Sequence, residues 1–373
     1  MLILAGVALS LTLGDSELFR RAENAANTWQ MAEINEQSEM DEAADFIERY
    51  ENKNKPLGSV TGEETTNSTV YDKYGNKVVV PAGFKIINPE DDVTKGIVIE
   101  DVNAGDEYTK ESQFVWIPIG NVITDNNGTI VPLELGRYTF DDNEGEYHGK
   151  PTLVQSAQNW ENMSDDIKIQ GYFETYYKEL SNSSYGNLPA LDLEDFVRKV
   201  RENNGYYIGR YEAGDSTTTS NYPRNEESED DNPVTCKSGV YPYNYISQPQ
   251  ASELCQNMYD NTNFQSDLSN SYAWDTAIVF IQTFGENNEY SLQSPIKATL
   301  AKCGETNDIQ LNIYDMAGNV YEWSTETGLG DDPCTCRGGI YVDQSGYICG
   351  RGAASATGIF YNYAFRPIIY ILN

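Results

Sequence analysis

Apolar positions along the chain change their spacing three times. Residues 1–14, MLILAGVALSLTLG, are an uncharged apolar run, shorter than the roughly 20 residues a membrane-spanning helix needs. From Asp15 to about Asn54 the spacing is helical. Leu18, Ala22, Ala25, Trp29 and Ala32 recur every three or four positions, Asp15 or Ser16 stands at the N-cap, and no Gly or Pro interrupts before Pro56. Beyond Pro56 the period shortens to that of strands. Thr69–Tyr71, a Tyr74-Gly75-Asn76 turn and Val78–Val80 predict a hairpin. Gly96–Ile99, Phe114–Pro118 and the stretch from Asn204 to Glu212 predict further short strands. Helices are predicted near 191–202, 249–259 and 271–284, followed by a Gly-rich C-terminal region of short strands. The pattern divides the chain into an N-terminal segment and helix (1–55), a linker and hairpin (56–79) and an α+β domain (80–373). An acidic run at 226–231 reads as a solvated excursion, and 141–200 carries Asn/Ser-rich loops without a motif.

Composition narrows the chemistry. With 58 acidic and 25 basic side chains the formal charge is −33, which repels phosphate backbones and argues against a nucleic-acid partner while favouring cations such as Ca²⁺. The single histidine, His148, excludes multi-histidine metal sites. The 27 tyrosines, with abundant Asn, Ser and Thr, are the palette of a recognition surface. Six cysteines leave free thiols and one or two bridges equally open.

The hydrophobic start running into LFRRAENA resembles the stem of type IV pilin-like proteins, especially of Gram-positive bacteria. It shows no prepilin peptidase site, so on this reading the chain starts inside a longer apolar segment. The resemblance implies an extracellular, cell-surface or pilus-associated bacterial protein that meets a membrane only through its N-terminal segment.

The segment from Asn312 to Trp323, NIYDMAGNVYEW, followed by Arg337-Gly338-Gly339 and Ala364-Phe365-Arg366-Pro367, resembles the formylglycine-generating (sulfatase-modifying) family of the C-type lectin fold. Phe114–Ile117, the 206–212 stretch and Ser271–Trp274 fit its upstream landmarks, so the likeness covers roughly 80–373. It implies a C-type-lectin-like (formylglycine-generating-enzyme type) domain behind a long pilin-like helix. Read from the residues, Asp315 and Glu322 place two carboxylates around one loop, and the carbonyls of Gly318 and Val320 can turn toward the same point. An oxygen-only set of this kind suits Ca²⁺, and relatives bind it at these positions. The family's oxidase chemistry needs a cysteine pair after the Arg-Gly-Gly motif. Here those positions fall on Asp343 and at or beside Ile348, with Cys349 one place out of register, so no catalytic activity is expected.

Stripped of its cysteines, the same fold serves as a binding scaffold in the variable proteins of diversity-generating retroelements, where adenines in a C-terminal patch are rewritten. Replacement within AAC or AAT codons cannot yield Lys, Glu, Gln, Met or Trp. These five types make up about a fifth of the chain, yet between Ile340 and Tyr363 only Gln344 belongs to them. The segment resembles such a diversified surface. Its candidate ligand-binding residues are Ile340, Tyr341, Asp343, Gln344, Tyr347, Ile359, Phe360, Tyr361, Asn362 and Tyr363: rigid aromatics with adaptable polar partners. About half of these aromatics are expected to pack inward. The leading expectation is a non-catalytic, adhesin-like protein that binds a protein or glycan on another cell or phage surface. A structural pilin-like filament subunit contacting its own copies is the first alternative, and an oxidoreductase of the formylglycine-generating type the second.

Overall fold

Among the described residues three helices and two larger sheets organise the domain, and each follows from its local sequence. The structure is a computed structural model that describes residues 55–141, 147–158, 173–174, 193–217, 224, 232–294, 299–328, 332–343 and 347–372. The pilin-like segment, the acidic run, most of 141–200 and Gln344 lie outside the described residues. Among the described residues no helix is long and apolar enough to cross a membrane. Lys55–Asn373 forms one unit, mostly sheet with few helices.

In chain order the first strands are β1 (Ser68–Tyr71), β2 (Lys77–Val80), β3 (Phe84–Ile86), β4 (Val98–Asp101) and β5 (Gln113–Pro118). Then follow β6 (Gly120–Ile123), β7 (Ile130–Leu133), β8 (Gly136–Asp141), β9 (Tyr147–Ser156) and β10 (Phe173–Glu174). Helix α1 (Leu193–Asn203) leads into β11 (Gly205–Gly209), β12 (Gly214–Asp215) and β13 (Val234–Thr235). After α2 (Gln248–Gln256), β14 (Phe264–Leu268) and α3 (Ser271–Phe284) come β15 (Ile309–Gln310), β16 (Ile313–Tyr314) and β17 (Tyr321–Thr327). The C-terminal strands are β18 (Cys334–Arg337), β19 (Gly352–Ala354), β20 (Tyr363–Phe365) and β21 (Pro367–Ile371).

The larger sheet runs β14-β21-β11-β5-β4-β3, antiparallel throughout. Its centre is β11, Gly-Tyr-Tyr-Ile-Gly, with every residue buried. The two tyrosines keep their hydroxyls satisfied there: Tyr206 donates to the Ala273 carbonyl at 2.6 Å and Tyr207 to that of Val79 at 3.0 Å. That second bond sets the hairpin's place. Val78 and Val79, placed by sequence in the linker and hairpin before the domain, belong with Val80 to the same core as the sheet.

Helix α3 explains why its sequence lacks a polar stripe: Ser271 to Gln282 are all buried, as in a helix enclosed on every side. Asn270 caps it by accepting from the Ala273 N–H at 3.0 Å. Helix α2 starts on a Ser247/Gln250 capping box. In α1, Leu193, Phe196, Val197 and Val200 at three- and four-residue spacing cover the sheet.

The second sheet orders β10-β17-β18-β19, with β20 parallel to β17. Residues 340–363, the expected ligand surface, therefore span the excursion from β18 to β20, with β19 as its one strand against β18. All six cysteines are buried free thiols.

Candidate functional site

The Asn312–Trp323 motif becomes a tight loop because several of its residues take left-handed backbone. Leu311, Asn312, Asp315 and Asn319 all have positive φ (47°, 69°, 63° and 58°), a conformation Asn and Asp tolerate better than most residues. The loop closes around a buried cation from its own chain. Arg366 Nε donates to both oxygens of Glu322 (3.1 and 2.9 Å), and its Nη2 donates to Oε1 at 2.5 Å. The remaining guanidinium hydrogens reach the carbonyls of Gly209 (2.9 Å) and Tyr314 (2.8 Å), so one side chain ties β11, β16, β17 and the start of β21 together.

Glu212 faces the same loop. It accepts from Asn319 Nδ2 at 2.7 Å and from the Val320 N–H at 3.3 Å. Burial, together with the charges of Asp315 and Glu322, pushes its carboxyl well above the ordinary glutamate range. Asp315 is likewise raised, to about 6, by burial, while a hydrogen bond from Thr306 and the charge of Arg366 pull the other way.

The four residues expected to hold Ca²⁺ thus share one loop, but their donors are unequally available. Glu322 has both oxygens on Arg366, so an ion held by it would have to share or displace that guanidinium. Asp315 Oδ2 is buried and has no hydrogen-bond partner, which leaves it open as a donor. Among the described residues no group of three or more His, Cys, Asp or Glu side chains stands together as a metal set, so any ion here would rest largely on backbone oxygens.

The backbone of this loop is the floor of the 340–363 segment. The Asn319 carbonyl accepts from the Tyr341 N–H at 2.9 Å, and the Tyr321 N–H donates to the Asn362 carbonyl at 2.9 Å. A second scaffold segment holds the neighbouring residues: the Tyr245 N–H donates to the Phe360 carbonyl at 3.0 Å, and Asn244 Nδ2 donates to the Tyr361 carbonyl at 2.6 Å. Phe360, Tyr361 and Asn362 are therefore gripped by three successive carbonyls, through bonds that involve none of their side-chain atoms. The middle of the segment is fixed the same way, through N–H groups of Ile348 and Cys349 on the carbonyls of Gln293 and Ser291. Gly338, at φ +77°, makes the turn that launches it; a Cβ there would lie 3.1 Å from the Met316 carbonyl oxygen.

The side chains of the segment divide by burial. Val342 (40%), Tyr347 (40%), Phe360 (38%) and Tyr361 (46%) are exposed, four of the nine large exposed apolar side chains of the described residues. Asp343 is exposed, and Tyr341, Ile359 and Asn362 are half-buried. Ile340 departs from expectation: at 7% exposure it faces the core, where its backbone bridges Asp343, and it is not part of the surface. Tyr363 is an anchor. Its ring packs on Trp323 (4.7 Å between centroids), Phe360 (4.8 Å) and Tyr321 (5.2 Å). Trp323 is itself tied by Nε1 to the Ile246 carbonyl at 3.0 Å.

Arg351 roots the segment in the core. It bonds Glu326 (2.8 Å) and Asp275 (2.7 Å), and the same two carboxylates also meet Arg337, while Glu326 meets Arg137 as well. Burial alone would raise Glu326, but the charges of Arg351, Arg137 and Arg337 hold it down to about 2. The sequence contained no sign of Asn244 and Tyr245 as site residues. They stand more than 100 positions from the segment they grip, and only the alternation Tyr241-Pro242-Tyr243-Asn244-Tyr245 distinguishes them.

Comparison with known proteins adds little. No protein-family model matches the chain, and no curated protein matches it. Among solved structures, Treponema denticola variable protein 1 aligns at 12% identity and a TM-score of 0.35, over 69% of this chain and 95% of that one. A structure titled CarF aligns at 14% identity and a TM-score of 0.24, over 69% and 98%. At these scores neither likeness bears on what this chain does.

Proposed function

We propose that this chain is a non-catalytic, surface-displayed binding protein of C-type-lectin-like build, whose ligand surface is the 340–363 segment and whose exposed side chains there are diversified. The observation that carries it is the separation of roles within the segment. Its backbone is pinned by the scaffold, while Val342, Tyr347, Phe360 and Tyr361 turn large apolar surface to solvent. Exposed aromatics on a rigid backbone are what a paratope needs, because little conformational entropy is lost on binding. The codon-type bias of the segment supports the diversified reading independently of its geometry.

Two experiments test this. Sequencing the DNA beside the gene is expected to reveal a near-copy of the 337–370 coding segment that differs at adenines, next to a reverse transcriptase gene. A display library randomised at Tyr341, Val342, Asp343, Tyr347, Phe360, Tyr361 and Asn362 is expected to stay folded and to yield binders to an immobilised test protein. A library that mostly unfolds would remove the surface reading.

Ca²⁺ belongs to the proposal in a narrower form, held by Asp315 with loop carbonyls of Gly318 and Val320. The open Oδ2 of Asp315 supports it, and Glu322 joins only by sharing Arg366. The ion would stiffen the floor beneath the ligand segment.

A further inference from the structure

The tripeptide Asn-X-Ser/Thr, with X other than Pro, is the acceptor signature of N-linked glycosylation, and the chain holds it four times. Asn162-Met163-Ser164 and Asn182-Ser183-Ser184 lie outside the described residues, while Asn67-Ser68-Thr69 and Asn127-Gly128-Thr129 lie within them. The motif alone does not make a site, since a transferase must reach the asparagine amide. The fold separates the two described copies on that ground. The Asn67 amide is committed: its Nδ2 donates to the Asn263 carbonyl at 2.8 Å, and its Oδ1 accepts from the Ala82 N–H at 3.1 Å. It stitches the start of β1 to the approach to β14, and a sugar on its nitrogen would displace that bridge.

Asn127 stands at the opposite extreme. It tips the β6–β7 hairpin, whose strands pair only with each other among the described residues. The base of that hairpin is clamped by Asn76, which donates through Nδ2 to the Ile123 carbonyl and accepts through Oδ1 from the Ile123 N–H, both at 2.8 Å. Beyond the clamp the chain is open. Asn126, Asn127, Gly128 and Thr129 are exposed, and a Cβ on Gly128 would meet no atom within 4 Å. The tip keeps its shape through Asp125, whose carboxylate accepts from the Asn127 N–H (2.8 Å), the Thr129 N–H (3.1 Å) and the Thr129 hydroxyl (2.8 Å). These bonds face water, which replaces the partners when they part, so the tripeptide can open into an enzyme while the clamp holds. The next residue adds an independent observation. Ile130, directly after Thr129, is 53% exposed, the highest value among the large exposed apolar side chains of the described residues. A bulky hydrophilic group three positions away would shield it.

Resting on the surface-displayed reading above, we propose that Asn127 is an N-glycosylation acceptor. The glycan comes from a polyisoprenyl-diphosphate carrier through a membrane oligosaccharyltransferase. Asn127 Nδ2 gives up one hydrogen and bonds C1 of the first sugar. The C1–O bond to the diphosphate breaks, the diphosphate lipid leaves with that electron pair, and the proton passes to solvent. No electron is gained or lost by the protein.

The test recovers the full chain separately from the outer surface and from the interior of the cells that make it. Tryptic peptides 54–73 and 111–137 then carry one described motif each. By mass spectrometry, peptide 111–137 of the surface fraction is expected to be heavier by whole sugar residues, and 54–73 to be bare. The increase is expected to vanish in Asn127→Gln and Thr129→Ala and to persist in Thr129→Ser, with each variant's melting temperature checked first. A bare 111–137 in surface-exposed chain would overturn the acceptor and leave the surface reading in place, whichever other asparagine is modified. An increase that survives Asn127→Gln would put the sugar on another side chain of the peptide and would also overturn it. Chain found only inside the cell and bare would overturn both readings, whereas chain found only inside yet modified at Asn127 would uphold the acceptor and overturn surface display.

Discussion

Arg366 meets Glu322 through two nitrogens with both partners fully buried, and the pair sits at the point where the motif loop, the central strand β11 and the C-terminal strand β21 converge. A charge in that position cannot lose its partner cheaply. Removing one member of a buried pair typically costs about 3–5 kcal/mol, because the other is left uncompensated. Arg366→Met and Glu322→Gln are each expected to fall in that range by urea denaturation. Arg366→Lys is expected to recover only part of the loss, since an ammonium cannot reproduce the forked contact to Glu322 together with the two carbonyls.

The ligand segment is expected to separate into tolerant and intolerant positions. Tyr361→Asn and Asn362→Ser keep every scaffold bond to their carbonyls and should change stability by about 0.5 kcal/mol or less, while Phe360→Ser also gives up its ring contact with Tyr363 and should cost about 1 kcal/mol. Tyr363→Ala, which empties the stack on Trp323, should cost about 2–4 kcal/mol. Equal losses at all four positions would show that side chains, and not the backbone, hold the segment.

Acid sensitivity should trace to Glu326. Its carboxyl is ionised in the fold down to about 2, against an ordinary value near 4.5, so the stability it contributes is present above about pH 4.5 and is lost as the pH falls toward 2. The melting temperature of wild type should therefore drop across that window. Glu326→Gln should be less stable at pH 7 and should show a shallower drop, measured by calorimetry across the same pH series.

Calcium gives a separate reading of the motif loop. Millimolar Ca²⁺ is expected to raise the melting temperature by mass action, and Asp315→Asn to abolish the rise. An unmoved melting temperature would leave Arg366 as the only cation the loop requires.

The linear sequence determined much of the local structure. Periodicity marks 271–284 as a helix, and the β-branched run Val78–Val80 after a Tyr-Gly-Asn turn marks a hairpin, because turn geometry and periodicity act over a few residues. The 340–363 segment could likewise be picked out by composition, but which of its aromatics reach solvent could not. Tertiary structure alone decided what those elements do together. Nothing local marks Arg366 as the partner of Glu322, Arg351 as a buried root or Ile340 as a core residue, since side-chain burial depends on which strand arrives from elsewhere. The grip of Asn244 and Tyr245 on Phe360 and Tyr361 spans more than 100 residues, and such contacts form only when the sheet has brought distant backbone within hydrogen-bond reach.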